Sequence, residues 1–138
     1  TDMNMLSVLD YAVNVLKVKH VIVCGHYGCG GVKAAMGNQN IGLIDNWIRH
    51  IKDVFRFHND ELVAIKDETK QFDRFVELNV KEQVMNLAKT SIVQNAWKNE
   101  QPLHIHGWVY NIKDGIIKDM GVNFENNSML AEVYQLDI

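Results

Sequence analysis

Two side chains that bind metals through different atoms lie three positions apart in this 138-residue sequence. His26 provides an imidazole nitrogen and Cys29 a thiol sulfur, and the H-x-x-C spacing lets both reach one ion. Zinc favours imidazole and thiolate ligands, and it usually takes four of them. The pair therefore indicates two ligands of a zinc site, whose remaining ligands must come from elsewhere.

The same two residues also have a simpler interpretation, which the spacing leaves open. Cys29 would then be a small buried hydrophobe, and His26 a hydrogen-bonded histidine in a loop. A phosphate-binding loop fits less well, because the glycine order G-x-x-G-x-G-G over residues 25–31 matches neither common nucleotide-binding fingerprint. Cys24 ends an apolar run, and we expect it to be a buried, inert thiol.

A strand and a helix must position this pair. Val21, Ile22 and Val23 form an apolar run typical of a buried strand, and helix-forming residues follow from Val32. Glycine is frequent between them, as expected where φ is positive or where the backbone approaches a ligand closely. In open α/β sheets, sites form at the carboxyl ends of the strands. The glycines of this predicted loop are Gly25, Gly28, Gly30 and Gly31.

Apolar periodicity predicts helices on both sides of the strand-loop-helix unit. Asn4 or Ser7 could cap the first helix, and Pro102, the only proline, lies just beyond the end of the longest one. A polar stretch at residues 59–71 is expected to be a surface linker or a short helix. The predicted helices cover residues 4–17, 44–55, 72–98 and 129–136.

Residues 103–110 alternate between apolar and polar side chains, which is the period of a strand. The turn signal Lys113-Asp114-Gly115 predicts that a hairpin follows. Two histidines, His104 and His106, fall on one face of this strand and could in principle ligate a metal. Together the elements predict a single α/β domain over residues 1–138, with a mainly parallel central sheet flanked by helices and a C-terminal hairpin strand.

Composition narrows the possible partners and compartments. A net charge of −3 provides no basic surface for nucleic acid, so we expect no nucleic-acid partner. No apolar run approaches the length of a membrane span, so we expect no membrane partner. Cys24 and Cys29 both flank one loop, which does not suggest a disulfide framework. A reducing, cytoplasmic compartment fits better.

Four segments, CGHYGCGG, GLIDNW, NVKEQVMNL and HGWVYNIKDG, closely resemble the β-class carbonic anhydrases and look most like the bacterial branch. The resemblance implies zinc-dependent, reversible hydration of CO2 to bicarbonate and a proton, in dimers or tetramers. It implies that His26 and Cys29 bind the Zn2+, with the backbone of residues 28–31 nearby. It makes Tyr110 a candidate for binding bicarbonate away from the zinc. Because the family takes its ligands from other motifs, His104 and His106 are expected to be structural.

The sequence departs from the family pattern in one respect. The family's Cys-x-Asp-x-Arg motif, which supplies another zinc ligand and an Asp–Arg pair, is absent, so no catalytic residue can be identified. We therefore expect that the chain lacks the family's N-terminal portion and that these residues alone are inactive. Two alternatives stay open: a non-catalytic fragment or scaffold, and a related hydrolase of a small molecule such as carbon disulfide.

Overall fold

The computed structural model describes residues 2–138, and its sheet has three strands in the order β1-β2-β3. The strands are β1 (His20–His26), β2 (His104–Asn111) and β3 (Ile116–Phe124). Along β2, buried and less buried residues alternate from His104 to Val109, as the sequence predicts for a strand with one face against the core. β3 is the C-terminal hairpin strand that the sequence predicts.

Two backbone hydrogen bonds give the relative direction of β1 and β2. The N–H of His104 donates to the carbonyl oxygen of Lys19 at 2.8 Å, and the N–H of Tyr27 donates to that of Tyr110 at 3.1 Å. Residue numbers rise together along the pair, so β1 and β2 are parallel. β2 and β3 are joined by a short turn and are antiparallel. The sheet is therefore mixed, and helices flank it in an α/β fold.

Six α-helices occur among the described residues. The first, α1, is capped by the Asp2 carboxylate, which accepts from the N–H of Met5 at 2.8 Å. Neither Asn4 nor Ser7, the expected caps, has this role. A π-helical segment, Tyr11–Val15, continues from α1. The helices are α1 (Met3–Asp10), α2 (Gly30–Ala35), α3 (Asp45–Phe57), α4 (Asn59–Ala64), α5 (Glu68–Ala88) and α6 (Ser91–Lys98).

The helix expected over residues 72–98 is in fact two helices, α5 and α6. Thr90 lies between them in an extended conformation, and its side chain accepts a hydrogen bond from the N–H of Val93. A threonine in this position satisfies an N–H at the start of a helix, so it begins α6 rather than continuing α5. Apolar periodicity alone could not reveal this break, because it persists on both sides.

The helix predicted over residues 129–136 is also wrong. Two short 3₁₀ turns, Asn127–Met129 and Glu132–Tyr134, occupy this stretch. The fully buried Gln94 side chain donates to the carbonyl oxygen of Tyr134 and accepts from the N–H of Leu136, both at 2.9 Å. Because these two backbone groups are hydrogen-bonded to a side chain, they are satisfied without the hydrogen bonds of a helix.

The chain divides into two compact units. The first contains the residues up to Val23, Gln83–Gly107 and Gly121–Ile138. Its hydrophobic core includes Leu9 and Val13 from the N-terminal helical region, together with side chains of α5, α6 and β2. The single domain expected from the sequence stays a prediction.

The second unit contains Cys24–Glu82 and Trp108–Met120. Here α3 buries Ile48, Ile51 and Val54 along one face, as its apolar spacing predicts, and α2 packs against α3. None of the helices described within residues 2–138 has the length and apolar character needed to cross a membrane.

Candidate metal centre

His26 and Cys29 lie where β1 passes into α2. His26 is the last residue of β1, and Cys29 immediately precedes Gly30, the first residue of α2. The strand continues through Gly25, where a Cβ atom would lie 2.5 Å from the Val80 side chain. Only glycine allows this close approach to α5, so β1 extends beyond the apolar run and brings His26 to its carboxyl end.

Only Tyr27 and Gly28 separate the two candidate ligands. Gly28 has φ +73°, in the left-handed region that favours glycine. The chain therefore turns sharply between His26 and Cys29. Gly30 and Gly31 lie in the first turn of α2 and not in the loop where the sequence placed them, because that helix begins earlier than Val32.

The His26 imidazole is held by the neighbouring backbone. Its Nδ1 atom lies 2.8 Å from the carbonyl oxygen of Tyr27. A carbonyl oxygen can only accept a hydrogen bond, so Nδ1 carries a hydrogen, and Nε2 is the ring nitrogen that a metal would use in the neutral imidazole. Metal-binding histidines in proteins usually have this arrangement, with the ring nitrogen that is not a ligand bonded to a carbonyl or carboxylate.

The pair also fits zinc in its chemistry, since a half-buried thiol accompanies the imidazole. Within residues 2–138, however, no three His, Cys, Asp or Glu side chains are grouped so that they could hold one metal ion. His26 and Cys29 therefore constitute part of a donor set.

Tyr27 connects this turn to a set of charged side chains that sequence reasoning missed. Its hydroxyl donates to Glu77 Oε1 at 2.6 Å, and Lys118 Nζ donates to the same oxygen at 2.8 Å. The other carboxylate oxygen of Glu77 accepts from Arg74 at 3.1 Å. Glu77 lies between buried residues of α5. A charged residue within an apolar stretch of a predicted helix was the feature of the sequence that could have indicated this network.

The electrostatics of these groups keep Glu77 ionised. Burial raises the pKa of Glu77, but hydrogen bonds from Lys118, Tyr27 and Arg74 outweigh burial and bring the pKa below its ordinary value. Burial, and then the hydrogen bond to Glu77, raise the pKa of Tyr27 above its ordinary value. A protonated hydroxyl therefore donates to a carboxylate, which is a strong type of hydrogen bond.

The prediction that Cys24 is buried was wrong. Exposed and partly buried residues alternate along β1, and Cys24 falls on the exposed face with His20 and Ile22. Val21 and Val23 face the other way and pack against the core of the first unit. The apolar run indicated a strand correctly, but a strand with one exposed face places alternate residues at the surface.

The histidines of β2 meet His20 of β1. His20 Nδ1 lies 3.0 Å from His106 Nε2, and the rings of His104 and His106 are both stacked on that of His20 with centroids 5.2 Å away. His104 also lies 3.4 Å from a carboxylate oxygen of Glu125. These three histidines, like the other described residues of 2–138, do not form a group that could hold one metal ion. Its structural role stays a prediction.

Tyr110, the candidate for bicarbonate binding, lies near the end of β2 and is 40% exposed. Its carbonyl oxygen accepts the N–H of Tyr27 at 3.1 Å. Its hydroxyl lies near the turn, 3.6 Å from the position that a Cβ atom on Gly115 would occupy. The bicarbonate-binding role of Tyr110 stays a prediction.

Comparison with known proteins gives one consistent family. A profile described as carbonic anhydrase matches residues 1–117. The chain is similar to a carbonic anhydrase of Emericella nidulans, with 44% identity over 135 residues, covering 98% of this chain and 58% of that protein. It is also similar to carbonic anhydrase 1 of Escherichia coli O157:H7, with 32% identity over 112 residues, covering 79% of this chain and 50% of that protein.

Solved structures agree in fold. The chain resembles a Coccomyxa β-carbonic anhydrase in complex with acetazolamide, with TM-score 0.87, 36% identity, and coverage of 94% of this chain and 59% of that one. It resembles one of two tetrameric β-carbonic anhydrases from Sordaria macrospora, with TM-score 0.83, 38% identity, and coverage of 90% and 63%. The chain thus spans roughly half to two thirds of these relatives. The chain is 44% identical to a fungal protein, so its assignment to the bacterial branch of the family stays a prediction.

Proposed function

Because this chain belongs to the β-carbonic anhydrase family, we propose that its protein catalyses the zinc-dependent, reversible hydration of CO2 to bicarbonate and a proton. The observation that carries the proposal is the turn at the end of β1. There an imidazole with its Nδ1–H bonded to a carbonyl oxygen lies three residues before a half-buried thiol. Such a pair suits a metal that activates water.

In this proposal His26 Nε2 and Cys29 Sγ hold the Zn2+. The ion supplies Lewis acidity that lowers the pKa of water toward neutrality. The Tyr27 carbonyl oxygen keeps the imidazole in the tautomer that binds metal, because it accepts the hydrogen on Nδ1. The positive φ of Gly28 turns the chain so that Cys29 follows within reach. The backbone of Gly30 and Gly31 lies next to Cys29 at the start of α2.

Residues 2–138 contain no group of three side chains that could hold one metal ion. We therefore propose that the remaining zinc ligands come from other parts of the whole protein. The chain covers 58% of the Emericella relative, so the activity belongs to the complete protein in this proposal. For that reason we expect residues 1–138 alone to bind zinc weakly and to hydrate CO2 poorly.

We also propose that the protein assembles with copies of itself, as a dimer or tetramer. Several apolar side chains of the N-terminal helical region are largely exposed, including Val8 at 71% and Leu16 at 60%. Burial of such a surface would stabilise an oligomer. The Sordaria macrospora relatives are described as tetrameric. Both cysteines are free thiols, which is consistent with a reducing, cytoplasmic compartment.

The test is a stopped-flow assay of CO2 hydration by the full-length protein, before and after the metal is removed with a chelator. Activity that disappears on chelation and returns with Zn2+ alone is the expected result. Hydrolysis of carbon disulfide without CO2 hydration would instead identify the related hydrolase. A zinc-loaded protein that acts on neither substrate would contradict the proposal.

The predicted role of Tyr110 is proposed as a bicarbonate contact that inhibits the same protein. Its partly exposed phenol could donate a hydrogen bond to the anion. A bicarbonate titration of activity compares wild type with Tyr110→Phe, which keeps the ring and removes the hydroxyl. Weaker inhibition of the variant is expected, and equal inhibition of both proteins would exclude this role.

A further inference from the structure

Tyr27, one of the two residues between the proposed zinc ligands, is held by hydrogen bonds at three atoms. The N–H of Tyr27 donates to the Tyr110 carbonyl oxygen at 3.1 Å, and its own carbonyl oxygen accepts from His26 Nδ1 at 2.8 Å. Its hydroxyl donates to Glu77 Oε1 at 2.6 Å. Two of these bonds use backbone atoms of Tyr27. The third depends on the side chain.

The acceptor of that third bond is itself held firmly. Glu77 lies on α5, and its side chain is only 13% exposed. Lys118 of β3 bonds to the oxygen that Tyr27 uses, and Arg74, one turn earlier on α5, bonds to the other oxygen. Arg74 also pairs with Glu61 of α4. A carboxylate with charged partners on both oxygens has little freedom to move away from the tyrosine.

We propose that Tyr27 and Glu77 position the two zinc ligands: Glu77 anchors the Tyr27 side chain, and Tyr27 in turn orients the His26 imidazole and the turn leading to Cys29. This inference rests on the proposed function, because it assumes that His26 and Cys29 hold the metal. Neither Tyr27 nor Glu77 contacts the metal in this account. They act as outer partners of a ligand, a class whose loss typically weakens metal affinity about 10- to 100-fold.

The physical reason is the narrow geometric tolerance of a metal site. Ligand distances to zinc must fall within about 0.2 Å of their preferred values. Loss of the hydroxyl would leave the Tyr27 ring without its polar partner and would let the Tyr27–Gly28 peptide tilt. The carbonyl oxygen that orients His26 belongs to that peptide, so the imidazole and the thiol would no longer be set for the same ion.

The test measures zinc affinity of the full-length protein by competition with a chromophoric chelator, with Zn2+ as the only added ligand. The variants are Tyr27→Phe, which keeps the ring, and Glu77→Gln, which keeps the shape. We expect each to bind Zn2+ about 10- to 100-fold more weakly. The double variant should lose no more than the stronger single one, because both substitutions break the same connection.

A matched control is Glu68→Gln, also a glutamate of α5. Its carboxylate pairs with Lys33 at 2.8 Å but is 79% exposed and contacts neither Tyr27 nor His26. Its zinc affinity should stay within about twofold of wild type, since exposed ion pairs contribute little. The absorption spectrum of the Co2+-substituted protein is a second readout. A changed ligand geometry should alter this spectrum in Tyr27→Phe and leave it unaltered in Glu68→Gln.

The outcomes separate this inference from the proposed function. If His26→Ala abolishes zinc binding while Tyr27→Phe and Glu77→Gln bind Zn2+ as tightly as wild type, the positioning role is wrong and the proposed function stands. If His26→Ala leaves zinc affinity unchanged, the proposed metal site itself is wrong. A loss of thermal stability in Tyr27→Phe with unchanged zinc affinity and Co2+ spectrum would mean a structural role only, and would also overturn the inference.

Discussion

The two ends of β1 both place histidine among potential ligands, yet they differ in what the ring nitrogens bond to. At its start, His20 bonds to another imidazole, that of His106, and His104 pairs with Glu125. At its end, His26 bonds through Nδ1 to a carbonyl oxygen, and Nε2 is the atom that we propose binds the metal. A thiol follows three residues later only at this second end.

In the proposed assignment, the metal site is at the end of β1 that has fewer histidines. The histidine cluster contains three imidazoles, but at least one ring nitrogen is used within the cluster itself. The end with one histidine combines nitrogen and sulfur, the mixture that zinc favours. The arrangement of partners, more than the count of donors, therefore separates the two ends.

The largest effect should come from substitution of Cys29. Cys29→Ala is expected to weaken zinc binding by the full-length protein by more than about 100-fold, exceeding the loss of an outer partner. Cys24→Ala is the matched control, because Cys24 lies on the exposed face of β1 and is not a proposed ligand. Zinc content after dialysis measures both. Equal zinc retention by the two variants would contradict the proposal that Cys29, and not Cys24, binds the metal.

The next largest effect is on the free energy of unfolding, when the carboxylate near either end of β1, Glu77 or Glu125, is replaced. Glu77→Gln should lower the free energy of unfolding at pH 7 by about 2 kcal/mol, because hydrogen bonds to a charged, largely buried group are lost. Glu125→Gln should change it by less than about 0.5 kcal/mol, since Glu125 is 52% exposed. Urea denaturation compares the two variants, and similar values would contradict the difference in burial.

This contribution of Glu77 also has a pH dependence of known sign. The lowered pKa of Glu77 means that its stabilisation is present above the ordinary value of 4.5. The stabilisation is lost as the pH falls below 4.5 through the folded-state pKa. The gap between wild type and Glu77→Gln should therefore shrink in acid. A gap that widens as the pH falls would contradict the ionised state of Glu77.

A smaller effect should distinguish two glycines of the turn. A Cβ atom at Gly28 or Gly30 would meet nothing within 4 Å, so no clash enters either substitution. Gly28→Ala should cost about 1 kcal/mol, because alanine is strained at φ +73°. Gly30→Ala should be neutral or slightly stabilising, since Gly30 is helical. Thermal unfolding measures both, and an equal loss would exclude conformational strain as the cause.

The smallest effect is expected in the histidine cluster. His20→Asn removes the stacked ring and the 3.0 Å contact with His106, both at an exposed residue. We expect a change in the free energy of unfolding below about 0.5 kcal/mol and no change in zinc content. Loss of zinc from this variant would mean that the cluster, and not the turn, binds the metal.

The sequence predicted the local features well. The alternation in residues 103–110 identified β2, and the apolar run of residues 21–23 identified β1. Both patterns arise from side chains that alternate across a strand. The H-x-x-C pair lies at one turn, as its spacing predicts, and metal binding by the pair stays a prediction.

Features that depend on distant residues could not be predicted. Glu77 joins Tyr27 to Lys118 across separations of 50 and 41 positions, and no local period encodes such a contact. Burial of Cys24 was misjudged because an apolar run does not reveal that one face of its strand is exposed. The C-terminal segment bonds to Gln94, 40 and 42 positions away, in place of forming the expected helix.

Anomalous diffraction at the zinc absorption edge from crystals of the full-length protein tests the central claim most directly. The account predicts one strong peak per chain at the end of β1, about 2.1 Å from His26 Nε2 and about 2.3 Å from Cys29 Sγ. A peak among His20, His104 and His106, with none beside His26, would contradict it.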